Sequence, residues 1–396
     1  MSAAQSVRSS LESLQRRVAS GDVGSLPVIL GLVLIWAVFT FLNPLFLSPL
    51  NLTNLAAQIA ATGIVSVGIV MVLLLGEIDL SVGSVYGLGS AVMAVLAVQK
   101  GWGAAPAIAA GVLSGTLIGT FHGFFFTRFR IPSFVVTLAG LLTWFGAQLH
   151  VLGEKGTINL NDPLILQLAN QFYPASVGWT LAVVVVVWLG TDLFIVTRRR
   201  RAAAGLPLGG WLGDVAKFVV IAGVIFGAMA VLAADRGVPL SLLILLALIL
   251  GFDLLLTRTR FGRHIFAVGG NAEAARRAGI SVNGIRIAVF AICGTLAAFG
   301  GVMGASRLEA VNYNSGTGDT LLNAIAAAVI GGTSLFGGRG TVWSALTGGL
   351  VIGSINNGLA LLSAASDVKF MVTGGVLLAA VTIDAVARQG RQRAGV

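Results

Sequence analysis

The chain has 396 residues, of which 56% are hydrophobic and only 10% are charged, and its formal net charge is +10. A soluble globular domain carries roughly 25% charged residues, so this composition excludes a soluble protein and predicts an all-α polytopic membrane protein. The single cysteine, Cys293, excludes an internal disulfide.

The first 26 residues are polar and mixed in charge, and they lack the short apolar core and small-residue cleavage site of a secretory signal. We expect 1–26 to form a cytoplasmic segment, followed by a transmembrane domain over 27–386 and a cytoplasmic tail, 387–396. Apolar runs long enough to cross a bilayer as helices recur about twelve times, which predicts 10–12 spans. They occupy residues 27–47, 55–75, 81–98, 104–127, 134–152, 177–196, 218–234, 239–257, 287–305, 321–336, 342–362 and 370–386.

The basic residues are distributed unevenly between the two sides of this predicted bundle. With a cytoplasmic N-terminus, all but five of the 25 Lys and Arg residues fall on the cytoplasmic side, the exceptions being Lys100, Lys155, Arg236, Arg307 and Lys369. This is the positive-inside pattern, and it places both termini in the cytoplasm. Because topology explains the positive charge, we do not expect the chain to bind nucleic acid.

A polar break, "LLLGEIDLSVGSV" at residues 73–85, places Glu77 and Asp79 midway along a long apolar region. Ionisable groups inside a membrane are costly and are functional candidates by default. In one interpretation, the two carboxyl groups are the proton relay of an ion-coupled carrier. In the other, they are hydrated at a cytoplasmic turn, where Asp79 and Ser81 cap the next helix and negative charge suits its dipole.

A second break, "VIGGTSLFGGRGTV" at residues 329–342, carries Gly331, Gly332 and Thr333. Irregular backbone at membrane depth is tolerated only where it is buried in protein or lines a cavity. The two breaks therefore predict broken or re-entrant segments. Three asparagines in the apolar segments either bond between helices or line a polar path: Asn323, Asn356 and Asn357.

Glycines recur every four residues at Gly111, Gly115, Gly119 and Gly123, so they share one stripe of a helix. Apolar side chains gain little by meeting each other in lipid, and close backbone approach at small residues packs membrane helices instead. We therefore expect this stripe to be a helix–helix contact.

One of the longest hydrophilic stretches runs from residue 258 to residue 286 and includes "GNAEAARRAGISVNGIR". Asn271 can cap a short helix over 272–278, with Gly279 as its C-terminal cap. Glu273 lies in the first turn, whereas Arg276 and Arg277 lie towards the last, as the helix dipole prefers. From composition alone, an ordinary basic loop is the alternative.

Motifs of an energy-converting enzyme are absent from the sequence. None of the four lysines precedes Ser or Thr, so the chain lacks a phosphate-binding P-loop. The deep segments are almost free of charge, unlike those of ion-coupled carriers. We therefore expect the driving energy to come from another protein.

Three stretches resemble the ribose/xylose-type sugar permeases of the ABC importer superfamily, which are related to branched-chain amino acid permeases. They are "GEIDLSVGSV" at 76–85, "TRFGRHIFAVGGNAEAARRAGI" at 259–280 and "NAIAAAVIGGTSLFGGRGTVWSALTGGLVIGSINNGL" at 323–359. Residues 177–236, with two apolar segments, look additional to the shorter ribose-type members. The likeness therefore leans towards the xylose type.

The resemblance implies an ABC sugar-importer permease fold in the bacterial inner membrane, with a second permease copy completing the pathway. Cytoplasmic P-loop ATPase subunits would use ATP and Mg, a periplasmic binding protein would deliver the monosaccharide, and this chain, not itself an enzyme, would bind no cofactor. The ATPase-coupling residues would be Asn271, Ala272, Glu273, Ala274, Ala275, Arg276, Arg277 and Gly279. Candidates for the translocation path or its structural breaks are Glu77, Asp79, Ser81, Asn323, Gly331, Gly332, Thr333, Asn356 and Asn357.

Other substrates remain open, among them ribose, galactose and branched-chain amino acids. A different class also remains open, namely an ion-coupled secondary carrier that uses Glu77 and Asp79.

Overall fold

The computed structural model describes residues 26–206 and 210–393, without the side chains of part of the last helix. The expected cytoplasmic segment 1–26 lies outside the described residues except for its last residue, and the end of the expected tail 387–396 lies outside them too. The described residues form helices and four short strands, and the predominance of helix confirms an all-α polytopic fold.

The first half of the bundle has seven helices within the described residues. Their bounds are α1 Leu26–Leu42, α2 Pro49–Leu74, α3 Val82–Ala94, α4 Ala104–Phe129, α5 Ser133–Leu152, α6 Pro163–Asn170 and α7 Ala175–Thr191. A 3₁₀ turn, Pro44–Leu47, precedes α2, and π-helical turns extend α3 over Val95–Gln99 and α7 over Asp192–Val196.

The second half, as far as the structure describes it, continues with nine helices. They are α8 Thr197–Ala203, α9 Trp211–Ala233, α10 Leu240–Arg258, α11 Arg260–Gly270, α12 Ala272–Arg277, α13 Val282–Leu308, α14 Thr320–Ile330, α15 Trp343–Leu361 and α16 Ser366–Arg393. The side that carries α11 and α12, which the charge pattern predicts to be cytoplasmic, is called the inner side below.

Within residues 26–206 and 210–393, eight helices are long and apolar enough to cross a membrane. They are Pro49–Leu74, Val82–Gln99, Ala104–Phe129, Ser133–Leu152, Ala175–Ala203, Trp211–Ala233, Leu240–Arg258 and Val282–Leu308. The predicted span 321–336 is wrong in length, because helix α14 has only 11 residues and stops at Ile330. Eleven residues rise about 16 Å, roughly half of a bilayer's hydrocarbon. The total of twelve spans stays a prediction.

Four strands lie on the outer side. β1 (Thr157–Asn159) pairs antiparallel with β4 (Ala310–Asn312), and β2 (Phe172–Tyr173) pairs with β3 (Val238–Pro239). Together with α6, they form a small cap on this side. The long connection after α5 contributes β1 and β2, whose backbone N–H and C=O groups hydrogen-bond to the distant strands β4 and β3.

The glycine stripe of α4 packs against α13, as the sequence predicts. A Cβ on Gly115 would collide with the carbonyl oxygen of Gly294, and a Cβ on Gly119 would collide with that of Phe290. Thr116 and Thr295 hydrogen-bond across the same contact at 2.7 Å. The two backbones approach this closely only because the stripe has no side chains.

Helices α7 and α9, from the additional region 177–236, form a peripheral hairpin with few buried residues. Arg198 joins their inner ends through an ion pair with Asp214, at 2.9 Å, and its guanidinium lies 4.7 Å from the centre of the Trp211 ring. The hairpin adds little to the core, so the site is built from the remaining helices.

Candidate coupling site and membrane breaks

Helix α12 is closed at both ends by its own residues. The Asn271 side-chain oxygen accepts a hydrogen bond from the Ala274 N–H at 2.9 Å. Gly279 has φ +81°, and the next amide, of Ile280, donates to the Ala275 carbonyl at 3.0 Å. These are the two caps that the sequence predicts, because a left-handed residue after a helix is usually glycine.

The exposed face of α12 carries three charges in one cluster. Glu273 lies 2.8 Å from Arg276 and 3.3 Å from Arg277, and all three side chains are more than half exposed. Ion pairs this exposed contribute only about 0–1 kcal/mol, so a docking protein can exchange them for its own. Ala272 is half-buried, Ala274 is exposed, and Ala275 lies buried beneath the helix.

Helix α11 is missing from the sequence predictions, which place only one short helix, 272–278, in the hydrophilic stretch 258–286. Thr259 caps it by accepting a hydrogen bond from the Gly262 N–H at 3.2 Å. Ile265 and Val268 are buried three residues apart, which is the helical spacing of an amphipathic segment and the signal that could have revealed it. α11 fastens α12 to the bundle.

Gly269 of α11 is the point where three segments of backbone meet. A Cβ there would collide with the carbonyl oxygen of Leu74, the last residue of α2. That same oxygen accepts a hydrogen bond from the N–H of Gly338, in the second break, at 2.9 Å. A displacement of α11 therefore bears directly on the end of α2 and on the second break.

Glu77, in the first break, forms an ion pair with Arg286 of α13. Arg286 Nη2 lies 2.8 Å from Glu77 Oε1, and the two side chains are only 22% and 14% exposed. The guanidinium also lies 4.8 Å from the centre of the Phe126 ring. The hydrated turn expected for Glu77 is therefore wrong in one respect, because the carboxylate is neutralised by a partner within the chain.

The surroundings of Glu77 act on its ionisation in opposite directions. Burial raises the pKa of its carboxyl group above the ordinary value, whereas the Ser133 hydroxyl and the Arg286 guanidinium lower it. The burial effect is the largest, so the pKa is raised overall. The ion pair positions the break rather than adding much net stability, as is common for buried pairs.

Asp79 is buried, with 3% of its surface exposed, so the expected hydration is wrong for this residue as well. The expected cap is wrong for Ser81, whose side chain makes no capping hydrogen bond at the start of α3. Asp79 Oδ1 accepts hydrogen bonds from the N–H and the hydroxyl of Ser81, at 2.9 and 2.6 Å. The Ser81 hydroxyl lies 3.3 Å from His122 Nδ1, and Trp144 Nε1 donates to His122 Nε2 at 2.9 Å. Because Nε2 accepts that bond, a neutral ring carries its proton on Nδ1 and donates it to Ser81.

The backbone of the first break is satisfied by side chains of α5. The Leu80 N–H donates to Thr137 Oγ1 at 3.1 Å, and the Ile78 N–H donates to the Ser133 hydroxyl at 3.4 Å. Irregular backbone at membrane depth needs such internal partners. Ser133 and Thr137 are site residues that sequence reasoning missed, since small hydroxyl side chains are common in membrane helices.

A further broken segment enters from the outer side, over residues 313–319, between β4 and α14. A Cβ on Gly83, in the first turn of α3, would collide with the Gly316 carbonyl oxygen. The buried Gln148 of α5 holds this segment by donating to the carbonyl oxygens of Asn312 and Ser315, at 3.2 and 3.0 Å. The segment thus reaches deep along α3, and several of its residues are exposed in the single chain.

The predicted polar residues of the second half fall in different places. Asn357 exchanges two hydrogen bonds with Asn51 of α2, at 2.8 and 3.0 Å, which is the interhelical alternative. Asn356 is half-buried beside it on α15. Asn323 Oδ1 and Thr333 Oγ1 are buried and have no hydrogen-bond partner in the part of the chain that the structure describes.

The second break begins at Gly331, directly after α14 ends at Ile330. Gly332 has φ +106°, and the Thr333 N–H closes the helix on the Ala328 carbonyl at 3.0 Å. The structure therefore joins α12, Glu77 and the second break on the inner side, and it leaves Asn356 and Asn357 apart from them.

A multi-span helical bundle with broken segments and a polar two-helix element on its inner side has the architecture of a membrane permease. The chain belongs to the family described as branched-chain amino acid transport system / permease component, whose profile matches residues 51–381. It is an ABC permease of the xylose/ribose type, as the three sequence stretches predict.

Three relatives illustrate this membership. The chain is 37% identical over 322 residues to the xylose transport system permease protein of Escherichia coli K12, covering 80% of each chain. It is 32% identical over 315 residues to the ribose import permease protein of the same strain, covering 79% of each. It is 30% identical over 321 residues to the L-arabinose ABC transporter permease protein of Azospirillum brasilense, covering 81% of this chain and 76% of the relative. No solved structure matches significantly.

Proposed function

We propose that the chain is the membrane-spanning subunit of an ATP-driven importer that moves a monosaccharide, D-xylose foremost, into the cell. The name of a relative that shares 37% of its residues supports the sugar. Ribose, galactose and branched-chain amino acids are the alternative substrates within the same class.

The observation that carries the proposal is the direct connection between α12 and the breaks. The exposed charges of α12 adjoin α11, whose Gly269 contacts the end of α2, and Arg286 of the following helix holds Glu77. ATPase subunits that bind α12 and change shape on hydrolysing ATP with Mg would therefore move the first break. Such coupling requires contacts with α12 that differ between the two states.

The translocation path would lie where the outer broken segment, 313–319, is exposed. Backbone of this kind at membrane depth must be covered by protein or line water. A second copy of the chain facing this segment meets both conditions, with the path running between the copies. The unpartnered oxygens of Asn323 and Thr333 are polar groups available near such a path.

A periplasmic binding protein would deliver the sugar to the outer cap formed by α6 and the four strands. Selection among pentoses would then rest largely on that protein. The permease would contribute the pathway and the response to ATP.

The test is to purify the chain with its ATPase from native membrane, reconstitute the complex in liposomes and assay sugar-stimulated ATP hydrolysis and uptake. The Arg276→Glu/Arg277→Glu double variant should lose the ATPase and both activities. The matched control is Arg200→Glu/Arg201→Glu, an equal charge reversal on the exposed α8, which should retain them. Failure of any ATPase to bind the parent chain would refute the proposal.

A second candidate function is an ion-coupled carrier, favoured by the buried hydrogen-bond chain from Asp79 through Ser81 to His122. Uptake by such a carrier would collapse with an uncoupler and persist without ATP. The importer behaves in the opposite way, so one uptake experiment with the two treatments separates the classes.

A further inference from the structure

A cleft of about 640 Å³ opens on the inner side, between α12 and the turn that joins α4 to α5. We call it the arginine cleft. Its lining residues are Phe126, Thr127, Arg130, Ile131, Pro132, Arg276, Asn283 and Arg286. Three guanidinium groups thus face one space, and none of the lining residues is acidic.

The charge in the arginine cleft is only partly balanced by the chain itself. Arg286 is paired with Glu77, and Arg276 is paired with Glu273. Arg130 forms no ion pair with any of the residues that the structure describes. Glu273 is also paired with Arg277, so it balances only part of the charge of Arg276. The arginine cleft therefore keeps a net positive charge that an acidic side chain complements.

Arg286 is positioned before any partner arrives, whereas Arg130 is exposed. Arg286 is held between Glu77 and the Phe126 ring, and its Nε is buried without a hydrogen-bond partner among the described residues. Arg130 occupies the left-handed region, with φ +55°, directly after α4. The Arg286 side chain, held by Glu77 and Phe126, loses less entropy when it binds an anion.

We propose that the arginine cleft receives an acidic side chain carried on a protruding segment of the cytoplasmic ATPase, beside the contact made by α12. This inference rests on the proposed function. A guanidinium fork binds a carboxylate in a bidentate manner, and the bond would lock the ATPase to α4 and α13 as well as to α12. The ATPase would then contact both members of the glycine-packed helix pair, α4 through Arg130 and α13 through Arg286.

The volume of the arginine cleft favours a carboxylate carried by a protein over a free phosphate. A cavity of several hundred cubic ångströms holds a drug-sized group, which is more space than one inorganic anion fills. A carboxylate carried on a segment of protein fills more of this volume and pairs with the unbalanced guanidinium charge.

The test measures the affinity of the purified ATPase subunit for the chain in lipid nanodiscs, at low and at moderate salt. Arg130→Gly removes the charge without backbone strain, because glycine readily adopts positive φ. The matched control is Arg128→Gln, which removes an exposed charge two residues away that does not line the cleft. Arg130→Gly should weaken binding about tenfold or more, as loss of one partner of a desolvated charge pair does, and Arg128→Gln should have less than a twofold effect.

Identification of the partner carboxylate completes the test. Exposed Asp and Glu residues of the ATPase are changed singly to Arg, and one of these variants should restore binding to Arg130→Glu. Equal affinity of the parent and Arg130→Gly, or competition by inorganic phosphate at the cleft without any effect on the ATPase, would overturn the inference. In either case the parent chain still binds the ATPase, whereas failure of the proposed function would abolish that binding altogether.

Discussion

Arg286 of α13 and Glu77 of the first membrane break form an ion pair of 2.8 Å at the inner end of the bundle. α13 begins at Val282, only five residues after α12 ends at Arg277. The pair therefore lies on a short route from an exposed helix to a discontinuity in the membrane. The same Arg286 lines the arginine cleft. A single guanidinium therefore contacts the break and faces the inner side, where the ATPase would bind.

Removing Arg286 should cost more stability than removing the whole pair. Arg286→Met leaves the Glu77 carboxylate largely buried and unpaired, and we expect unfolding to be easier by about 1–3 kcal/mol. The double variant Glu77→Gln/Arg286→Met should recover most of this loss, because no charge stays uncompensated. Thermal unfolding of the four proteins of the cycle measures both quantities. If ATP-driven uptake also returned to the parent level in the double variant, the pair would have no part in coupling.

The Arg286→Met variant should become relatively more stable as the pH falls. Burial already raises the pKa of Glu77 in the parent, and loss of the guanidinium removes an effect that lowers it. A carboxyl group whose pKa is raised on folding binds more protons in the native state, so stability rises as the pH decreases towards the unfolded pKa of about 4.3. The deficit relative to the parent should shrink between neutral and mildly acidic pH. The double variant should show no such trend, and a deficit independent of pH would contradict the assignment to Glu77.

Asn271→Ala should loosen α12 without unfolding the bundle. The side chain accepts the Ala274 N–H bond, and loss of an N-cap costs a helix about 1 kcal/mol. Amide exchange within 272–277 should accelerate about fivefold, and the affinity for the ATPase should fall while the thermal midpoint stays near that of the parent. Asn271→Asp keeps the acceptor and is the control. Unchanged exchange in Asn271→Ala would show that packing, not the cap, holds this helix.

A glycine substitution on the α4 stripe should be more harmful than one elsewhere. Gly119→Ala forces a methyl group against the Phe290 carbonyl oxygen, whereas Gly146→Ala on α5 meets nothing within 4 Å. Overpacking typically costs about 1–3 kcal/mol, but alanine in an open helical position is favourable by up to about 1 kcal/mol. Unfolding of both variants in mild detergent should show opposite shifts. If Gly119→Ala were stabilised as much as Gly146→Ala, the α4–α13 contact would accommodate a methyl group and would not be as tight as the structure shows.

Features that depend on residues close together in the sequence were predictable from it. The caps Asn271 and Gly279, the glycine stripe and the break at Glu77 depend on local spacing and on the backbone freedom of glycine, so their positions follow from the residues alone. The helical class follows from composition, because lipid leaves the backbone few alternatives.

Features that join distant parts of the chain were not predictable in this way. The Glu77–Arg286 pair spans more than 200 positions in the sequence, and Gln148 reaches carbonyl groups of a segment more than 160 positions away. A single sequence carries no signal for such pairings. The sequence also did not predict that residues 313–319 extend into the bundle. A polar loop after a span resembles any external connection, and only its packing against Gly83 shows its depth.

Asp79 offers the clearest separation between the two classes of function. Its Oδ1 accepts both bonds from Ser81, and the amide oxygen of Asp79→Asn can accept the same two. If Asp79 only positions the break, this variant should assemble and retain uptake per complex within about threefold, a change of less than 1 kcal/mol. Asp79→Ala leaves buried donors unsatisfied, at about 1–3 kcal/mol each, and should assemble poorly. Normal assembly of Asp79→Asn with uptake abolished would instead require the charge itself, and the buried route from Asp79 through Ser81 to His122 would then be a proton relay.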